Sequence, residues 1–189
     1  IILLLIFSFS LNAAEFSFPP ELKRLDYKVI TQYPHDPNAF TQGLEIYEGN
    51  LYEGTGLYGS STLRRVDLES GEIEKLIRLP EKYFGEGITI IDNKIYQLSW
   101  KENTAFVYDL RFNLLKEFNY QGEGWGLAND GQNLIMSNGS EYLYFRDRYT
   151  FAINREIRVH FKNKIVKNIN ELEYVDGFIY ANIWQTDYI

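Results

Sequence analysis

Residues 84–100 read Phe84-Gly85-Glu86-Gly87-Ile88-Thr89-Ile90-Ile91-Asp92-Asn93-Lys94-Ile95-Tyr96-Gln97-Leu98-Ser99-Trp100. Two β-type runs flank Asp92-Asn93, a polar pair of the kind that closes a tight hairpin. Ahead of the first run a carboxylate, Glu86, stands between two glycines. Glycine allows close backbone approach and special dihedral angles, so this setting could let another group reach the carboxylate. Trp100 follows the second run. Taken alone, Glu86 reads as a solvated turn residue; what surrounds it in the rest of the chain decides otherwise.

The same pattern recurs. Gln42-Gly43-Leu44, Glu86-Gly87-Ile88, Trp125-Gly126-Leu127 and Asn170-Glu171-Leu172 align, with Leu44, Ile88, Leu127 and Leu172 as anchors spaced 44, 39 and 45 residues apart. Eight residues after each anchor stand Tyr52, Tyr96, Ile135 and Tyr180. Between them lie the turn pairs Gly49-Asn50, Asp92-Asn93, Asp130-Gly131 and Asp176-Gly177. In the first two units further strand-like runs follow, Ser61–Leu68 with Ile73–Leu79 and Thr104–Leu110 with Leu114–Phe118. Four short strands in a repeat of about 40–45 residues predict a propeller blade. The expected fold is all-β, a β-propeller. Only Arg155–Ile165 is ambiguous between strand and helix.

The chain of 189 residues reaches the second strand of its fourth unit, and propellers close with about four to eight blades. It is therefore read as a C-terminally truncated propeller, about three and a half blades spanning residues 27–189. The run at 27–33 (Tyr27, Val29, Ile30, Tyr33) is expected as a strand that closes the last blade. An open blade edge of this kind is expected to lower stability. Residues 1–14, with an apolar Ile1–Ile6 and a small-residue Asn12-Ala13-Ala14, read as part of a secretory signal peptide. Residues 15–26 read as an N-terminal arm broken at Pro19-Pro20. An exported protein, periplasmic or secreted and without stable membrane insertion once the signal is removed, is the expectation.

Composition narrows the chemistry. With no Cys there is neither a disulfide nor a thiolate nucleophile. His35 and His160 are the only two histidines, which argues against a structural zinc site. The formal net charge of −7 argues against a nucleic-acid partner held by a basic footprint. Fifteen Tyr, 13 Phe and three Trp favour strands over helices.

In a propeller the residues just before each innermost strand crowd one mouth of the axial channel. Two before the anchors stand Gln42, Glu86, Trp125 and Asn170; twelve after them stand Gly56, Trp100, Gly139 and Trp184. All three tryptophans thus occupy equivalent places. Each indole alone would read as blade packing, and Gln42 or Asn170 alone as a turn amide. Together, one carboxylate, two amides and three indoles around one opening describe a small-ligand site. Two other motifs carry less: His35-Asp36 lies in a proline turn, and Gly54–Gly59 lacks the strand-to-helix context of a nucleotide loop.

These motifs carry a resemblance. HDPNAFTQGL (35–44), EGTGLYG (53–59), LRRVDLESG (63–71), FGEGIT (84–89), QLSWKE (97–102), GEGWGL (122–127) and NELEYVDGFIYANIWQTDYI (170–189) resemble the bacterial and plant type of glutaminyl-peptide cyclotransferase. The resemblance implies a five-bladed propeller and a reaction in which N-terminal glutaminyl residues of peptides or proteins close to pyroglutamate with release of ammonia. It implies no metal and no cofactor, with Glu86 as the essential carboxylate and Phe40, Gln42, Phe84, Trp100, Trp125, Asn170 and Trp184 as pocket residues. A lysine from beyond residue 189 is also implied. The expected enzyme is a monomer whose partners are its Gln-initiated substrates. Glu86 would pass a proton between amine and leaving group, and indole N–H groups or the amides of Gln42 or Asn170 would hold the oxyanion. The competing reading is a non-catalytic exported propeller that binds a peptide or envelope ligand through the same aromatic mouth.

Overall fold

A computed structural model describes residues 25–189, and every regular element in that range is a β-strand. The first unit forms one antiparallel sheet of β1 (Thr41–Tyr47), β2 (Asn50–Thr55), β3 (Thr62–Val66) and β4 (Ile73–Arg78), in that order. The second is built likewise from β5 (Gly85–Ile91), β6 (Lys94–Ser99), β7 (Thr104–Asp109) and β8 (Leu114–Asn119). The third comprises β9 (Leu127–Asn129), β10 (Asn133–Met136), β11 (Tyr142–Asp147) and β12 (Ile153–Arg158). A small hairpin of β13 (His160–Phe161) and β14 (Lys164–Ile165) leads to the fourth, β15 (Ile169–Val175) with β16 (Phe178–Ile183). The innermost strands β1, β5, β9 and β15 pack side by side in chain order. The stretch at 155–165 is thus strand and hairpin, with no helical turn.

The anchors pair identically in every unit. Leu44, Ile88, Leu127 and Leu172 lie opposite Glu53, Gln97, Met136 and Ala181, and the residues after them lie opposite Tyr52, Tyr96, Ile135 and Tyr180. This common register moves the first and third turns by one residue each. In the third unit Asn129 lies opposite Leu134 and Asp130 donates its N–H to the Asn133 carbonyl at 3.2 Å, so the turn is Gly131-Gln132 rather than Asp130-Gly131. In the first, Tyr47 pairs with Asn50, so the turn is Glu48-Gly49 rather than Gly49-Asn50, with φ of 50° and 78°. Ladder pairing outweighs the turn preference of Asn here, and Asn50 instead donates its side-chain amide to the Glu48 carbonyl at 3.2 Å.

Each apolar core lies between two consecutive blades. Tyr52 and Leu63 of the first meet Ile88, Ile95 and Phe106 of the second; Leu98 and Val107 of the second meet Leu127, Leu134 and Met136 of the third. Ala128, Ile135 and Leu143 of the third meet Ile169, Leu172 and Ile179 of the fourth. Strand β5, flanked on both sides, is buried along its whole length, whereas β1 leaves Leu44 and Ile46 exposed on the face away from the second blade. The innermost strands meet closely enough to need glycine. A Cβ on Gly87 would lie 2.6 Å from the Leu127 nitrogen and from the Trp125 oxygen, to which Gly87 donates its N–H at 2.8 Å.

The last-blade strand expected to pair with residues 27–33 is not among the described residues. Residues 25–36 carry no ladder partner, and Tyr27, Val29 and Ile30 are exposed, Ile30 at 90%. A strand exists only through its neighbour's hydrogen bonds, and nothing among the described residues supplies them. The signal peptide and most of the expected arm lie outside the described residues.

Candidate active site

Three of the four innermost strands open with a break in register, and a polar side chain stands in each. The pairing slips between Thr41 and Gly43, between Gly85 and Ile88, and between Ile169 and Leu172, which frees Gln42, Glu86 and Asn170 from the ladder. An irregularity of this kind bends the strand and re-aims a side chain. In the third unit Trp125 precedes β9 at the equivalent place, tied by its N–H to the Ser137 carbonyl at 3.1 Å. Four separate hairpins thereby deliver one side chain each to the same end of the innermost strands.

Those side chains line a cavity of about 320 Å³ together with Phe40, Phe84, Trp100 and Trp184. All eight residues predicted for the mouth are there. The aromatic rings meet edge to face, Phe40 with Phe84 at 5.9 Å, Phe84 with Trp100 at 5.5 Å, and Trp125 with Trp184 at 5.6 Å between centroids. Phe40 and Trp184 are half-exposed at the rim, while Glu86 is only 5% exposed. Glycines at the twelfth position after an anchor make room for two of the rings. A Cβ on Gly56 would fall 2.3 Å from the Phe84 ring, and one on Gly139 would fall 2.6 Å from that of Trp125.

The electrostatics centre on Glu86. Its Oε2 accepts the side-chain N–H of Gln42 at 2.8 Å. Burial pushes the carboxyl up to about 9, the nearby charges of Glu123 and Glu102 add to the rise, and the Gln42 hydrogen bond opposes it. At neutral pH the group is therefore a carboxylic acid: desolvation disfavours the anion more than one neutral donor favours it.

Sequence reasoning missed Glu123, Glu102 and Tyr58. Oε2 of Glu123 accepts the indole N–H of Trp100 at 2.8 Å and that of Trp125 at 2.9 Å. Two of the indole donors expected to face substrate are therefore engaged by the protein. Glu102 accepts the Tyr58 hydroxyl at 2.8 Å and the Phe84 N–H at 3.2 Å, and Tyr58 packs edge to face on Phe84 at 5.4 Å. The signal for Glu123 was present: Gly122-Glu123-Gly124 repeats the Gly-Glu-Gly of 85–87. By contrast the Asn170 side-chain amide lines the cavity with no hydrogen-bond partner among the described residues; only its backbone carbonyl is engaged, by the Ser137 hydroxyl at 2.6 Å.

His35 and Asp36 lie outside this cavity. His35 meets the buried Glu53, which also accepts the Thr41 hydroxyl at 2.6 Å, and Asp36 pairs with Arg64 at 2.9 Å. They fasten the loop that leads into β1. Gly54 lies within β2, and the segment to Gly59 continues into the turn before β3. Among the described residues no group of three or more His, Asp or Glu side chains is arranged to hold a metal.

Comparison with known proteins gives this arrangement a lineage. The model of the glutamine cyclotransferase family matches residues 1–189. The chain is 44% identical over 168 residues to a glutaminyl-peptide cyclotransferase of Arabidopsis thaliana, a match covering 87% of this chain and 52% of that protein. It thus spans about half the length of that curated relative. The crystal structure of Myxococcus xanthus glutaminyl cyclase superposes with a TM-score of 0.79 at 37% identity, over 84% of this chain and 68% of the other. The Neurospora crassa Pan2 WD40 domain shares the fold alone, at a TM-score of 0.58 and 16% identity over 79% and 45% of the two chains. Three four-stranded sheets set around a common line of inner strands, and the match of the whole sequence, lead to one conclusion: the chain belongs to the glutamine cyclotransferase family.

Proposed function

We propose that the protein containing this chain closes N-terminal glutaminyl residues of peptides to pyroglutamate, releases ammonia, and uses Glu86 as the general acid and base without a metal ion. The observation that carries this reading is a single buried carboxyl, hydrogen-bonded to Gln42, at the inner end of an aromatic cavity. A non-catalytic binding module has no evident use for a carboxyl held neutral in such a place. Export to the periplasm or the medium belongs to the same proposal.

The reaction joins the α-nitrogen to the γ-carbon of one residue, so no protein nucleophile is needed. Orientation comes first: the two atoms must be held about 3–3.5 Å apart. Rings of Phe84, Trp100, Trp125 and Trp184 suit that task because they enclose a small flexible side chain from several directions.

Proton transfer comes next. The free α-amine has an ordinary pKa of about 7.7–8.0, and Glu86 stands at about 9. The reactive pair is then a neutral amine and a neutral carboxylic acid. As the amine attacks, a new C–N bond forms at the γ-carbon. The Glu86 proton goes to the departing nitrogen as the old C–N bond breaks and ammonia leaves. The attacking nitrogen gives one hydrogen to the carboxylate left behind, which restores the acid. One proton goes out and one returns, so the carboxyl ends as it began.

With the Trp100 and Trp125 N–H groups engaged, the Asn170 amide and the Trp184 indole keep donors without a partner among the described residues; Trp184 stands half-exposed at the rim, and the Asn170 amide is the group we assign to the developing oxyanion. Donors aimed at developing charge are a large part of such catalysis.

The test is Glu86→Gln in the natural full-length protein, with ammonia release followed from a Gln-initiated peptide. Loss of turnover in a protein that still melts cooperatively, at no lower a temperature than the parent, is expected, and retained turnover refutes the assignment. Inhibition by EDTA that zinc reverses would refute the metal-free part.

A further inference from the structure

Glu123 is not among the residues that line the cavity, yet it stands behind two that do, where the third unit departs from the repeat. Four residues before the anchors stand Phe40, Phe84, Glu123 and Asn168. In the first, second and fourth units the carbonyl of that residue accepts the N–H of the residue twelve after the anchor: Gly56 to Phe40 at 2.8 Å, Trp100 to Phe84 at 2.9 Å and Trp184 to Asn168 at 2.9 Å. Among the described residues no such bond joins Gly139 to Glu123. In place of that backbone tie, the third unit offers a carboxylate.

One oxygen of that carboxylate takes two indoles from different blades. Trp100 ends the β6 hairpin of the second unit and Trp125 precedes β9 of the third, and both donate to Oε2 of Glu123. The backbone is set to the same end. The N–H of Gly124 donates to the Trp100 carbonyl at 2.8 Å, and a Cβ on Gly124 would lie 2.7 Å from the Ser99 oxygen. Gly122, with φ of 90°, occupies a conformation side-chain-bearing residues rarely adopt. Lys101 completes the cluster, its ammonium 3.9 Å from Oε1 of Glu123 and 3.8 Å from the centre of the Trp100 ring.

We propose that Glu123 is a positioning residue of the pocket, fixing Trp100 and Trp125 through one carboxylate oxygen so that their ring surfaces, and not their N–H groups, border the substrate. The inference deepens the proposed cyclase reading and rests on it for its meaning in turnover. The clamp itself rests on geometry alone. An indole has one donor, and once that donor is spent on a charged acceptor the ring has a single preferred orientation. A hydrogen bond to an ionised acceptor is roughly twice as strong as a neutral one, and a shared oxygen couples the two rings across the seam between blades.

The chain holds three tryptophans, all of them in the cavity wall, so the indole region of its nitrogen-15 NMR spectrum reports this pocket directly. The experiment compares Glu123→Ala with Glu123→Gln, which keeps an acceptor oxygen at the same reach. In Glu123→Ala the Trp100 and Trp125 indole signals are expected to move together and exchange faster with solvent, while the Trp184 N–H, which Glu123 does not bind, keeps its exchange rate. Glu123→Gln is expected to restore most of their protection. In the natural full-length protein kcat/KM for a Gln-initiated peptide is expected to fall by roughly 10–100-fold with Ala, the range that small misplacement of reacting groups produces, and to stay within about threefold with Gln. Signals that stay in place in Glu123→Ala, or move singly, overturn the clamp. Loss of activity equal in Ala and Gln overturns it as a positioning device. If the indoles respond as expected in a protein that never cyclises glutamine, the clamp stands and the cyclase reading falls.

Discussion

Gln42 donates its side-chain amide to Oε2 of Glu86 at 2.8 Å, across the seam between β1 and β5 and 44 residues away in the chain. Both residues stand where strand pairing slips, so neither is held by the ladder and each holds the other. Glu86 is thereby oriented by a neutral donor. A cation in that place would have drawn the carboxyl down into the ionised range. Replacing Gln42 with Glu, which sets a second carboxyl against the first, is expected to lower kcat by at least tenfold, consistent with the scale of general acid–base contributions. Steady-state ammonia release measures it.

The pH profile follows from two groups. The free peptide amine loses reactivity as it protonates below about 7.7–8.0. The Glu86 acid is lost as pH rises through about 9, under the burial that raised it and the charges of Glu123 and Glu102 that reinforce it. A bell-shaped kcat/KM with its maximum between these limbs is expected. A rate that keeps rising beyond pH 10 would contradict an acid role, on the limb placed by the measured peptide amine.

Stability is expected to decline across the same range. Glu86 and Glu171 are pushed up to about 9 and Glu45 to about 7, in each case chiefly by burial. In the unfolded chain these carboxyls ionise near their ordinary 4.5. Between the two values the folded state binds more protons than the unfolded one, so raising the pH favours unfolding. The contribution is fully present below about 4.5 and is lost as pH climbs through 7 and then 9. Melting temperature is expected to fall from pH 5 to pH 9, and Glu86→Gln or Glu171→Gln to flatten the decline. Scanning calorimetry at matched ionic strength checks the slope.

Asn170→Ala is expected to reduce kcat by on the order of 10²–10³, the loss typical of one oxyanion donor. The backbone carbonyl that holds Ser137 is untouched by the substitution, so thermal stability is expected to remain close to that of the parent. Single-turnover kinetics with a Gln-initiated peptide separates this from weakened binding.

Gly139→Ala is expected to destabilise the protein by about 1–3 kcal/mol, the usual cost of forcing atoms into a packed site. The added methyl meets the Trp125 ring at 2.6 Å, and the φ of 75° adds strain for any residue with a Cβ. A shift and broadening of the Trp125 indole signal is expected alongside, and chemical denaturation gives the free energy.

Much of the fold was legible because a propeller repeats a local code. Leu44, Ile88, Leu127 and Leu172 each sit on the inner strand of a hairpin whose length is set by its turn, and the pairing kept that register in all four units. Where local preference and register disagreed, at Gly49-Asn50 and at Asp130-Gly131, the ladder won. The segment 27–33 looked like a strand by composition and is unpaired here, because pairing depends on a partner and composition does not. Glu123 escaped notice because its register position holds Phe40 and Phe84 in the two preceding units, so the repeat itself concealed it.

The amino-acid sequence by itself determined the period, the hairpins, and six of the eight side chains that share the channel mouth, since those follow from alternation and spacing along one strand pair at a time. Phe40 and Phe84 were implied only by the family resemblance. Tertiary structure alone decided what each of the eight can do there. Glu86 is an acid because four units together exclude water from it; Trp100 and Trp125 are walls because Glu123 takes their donors across a blade seam; Asn170 and Trp184 keep donors without a partner among the described residues. Protonation state and donor availability are set by solvent exclusion and by neighbours in space, and those neighbours come from segments that no single repeat contains.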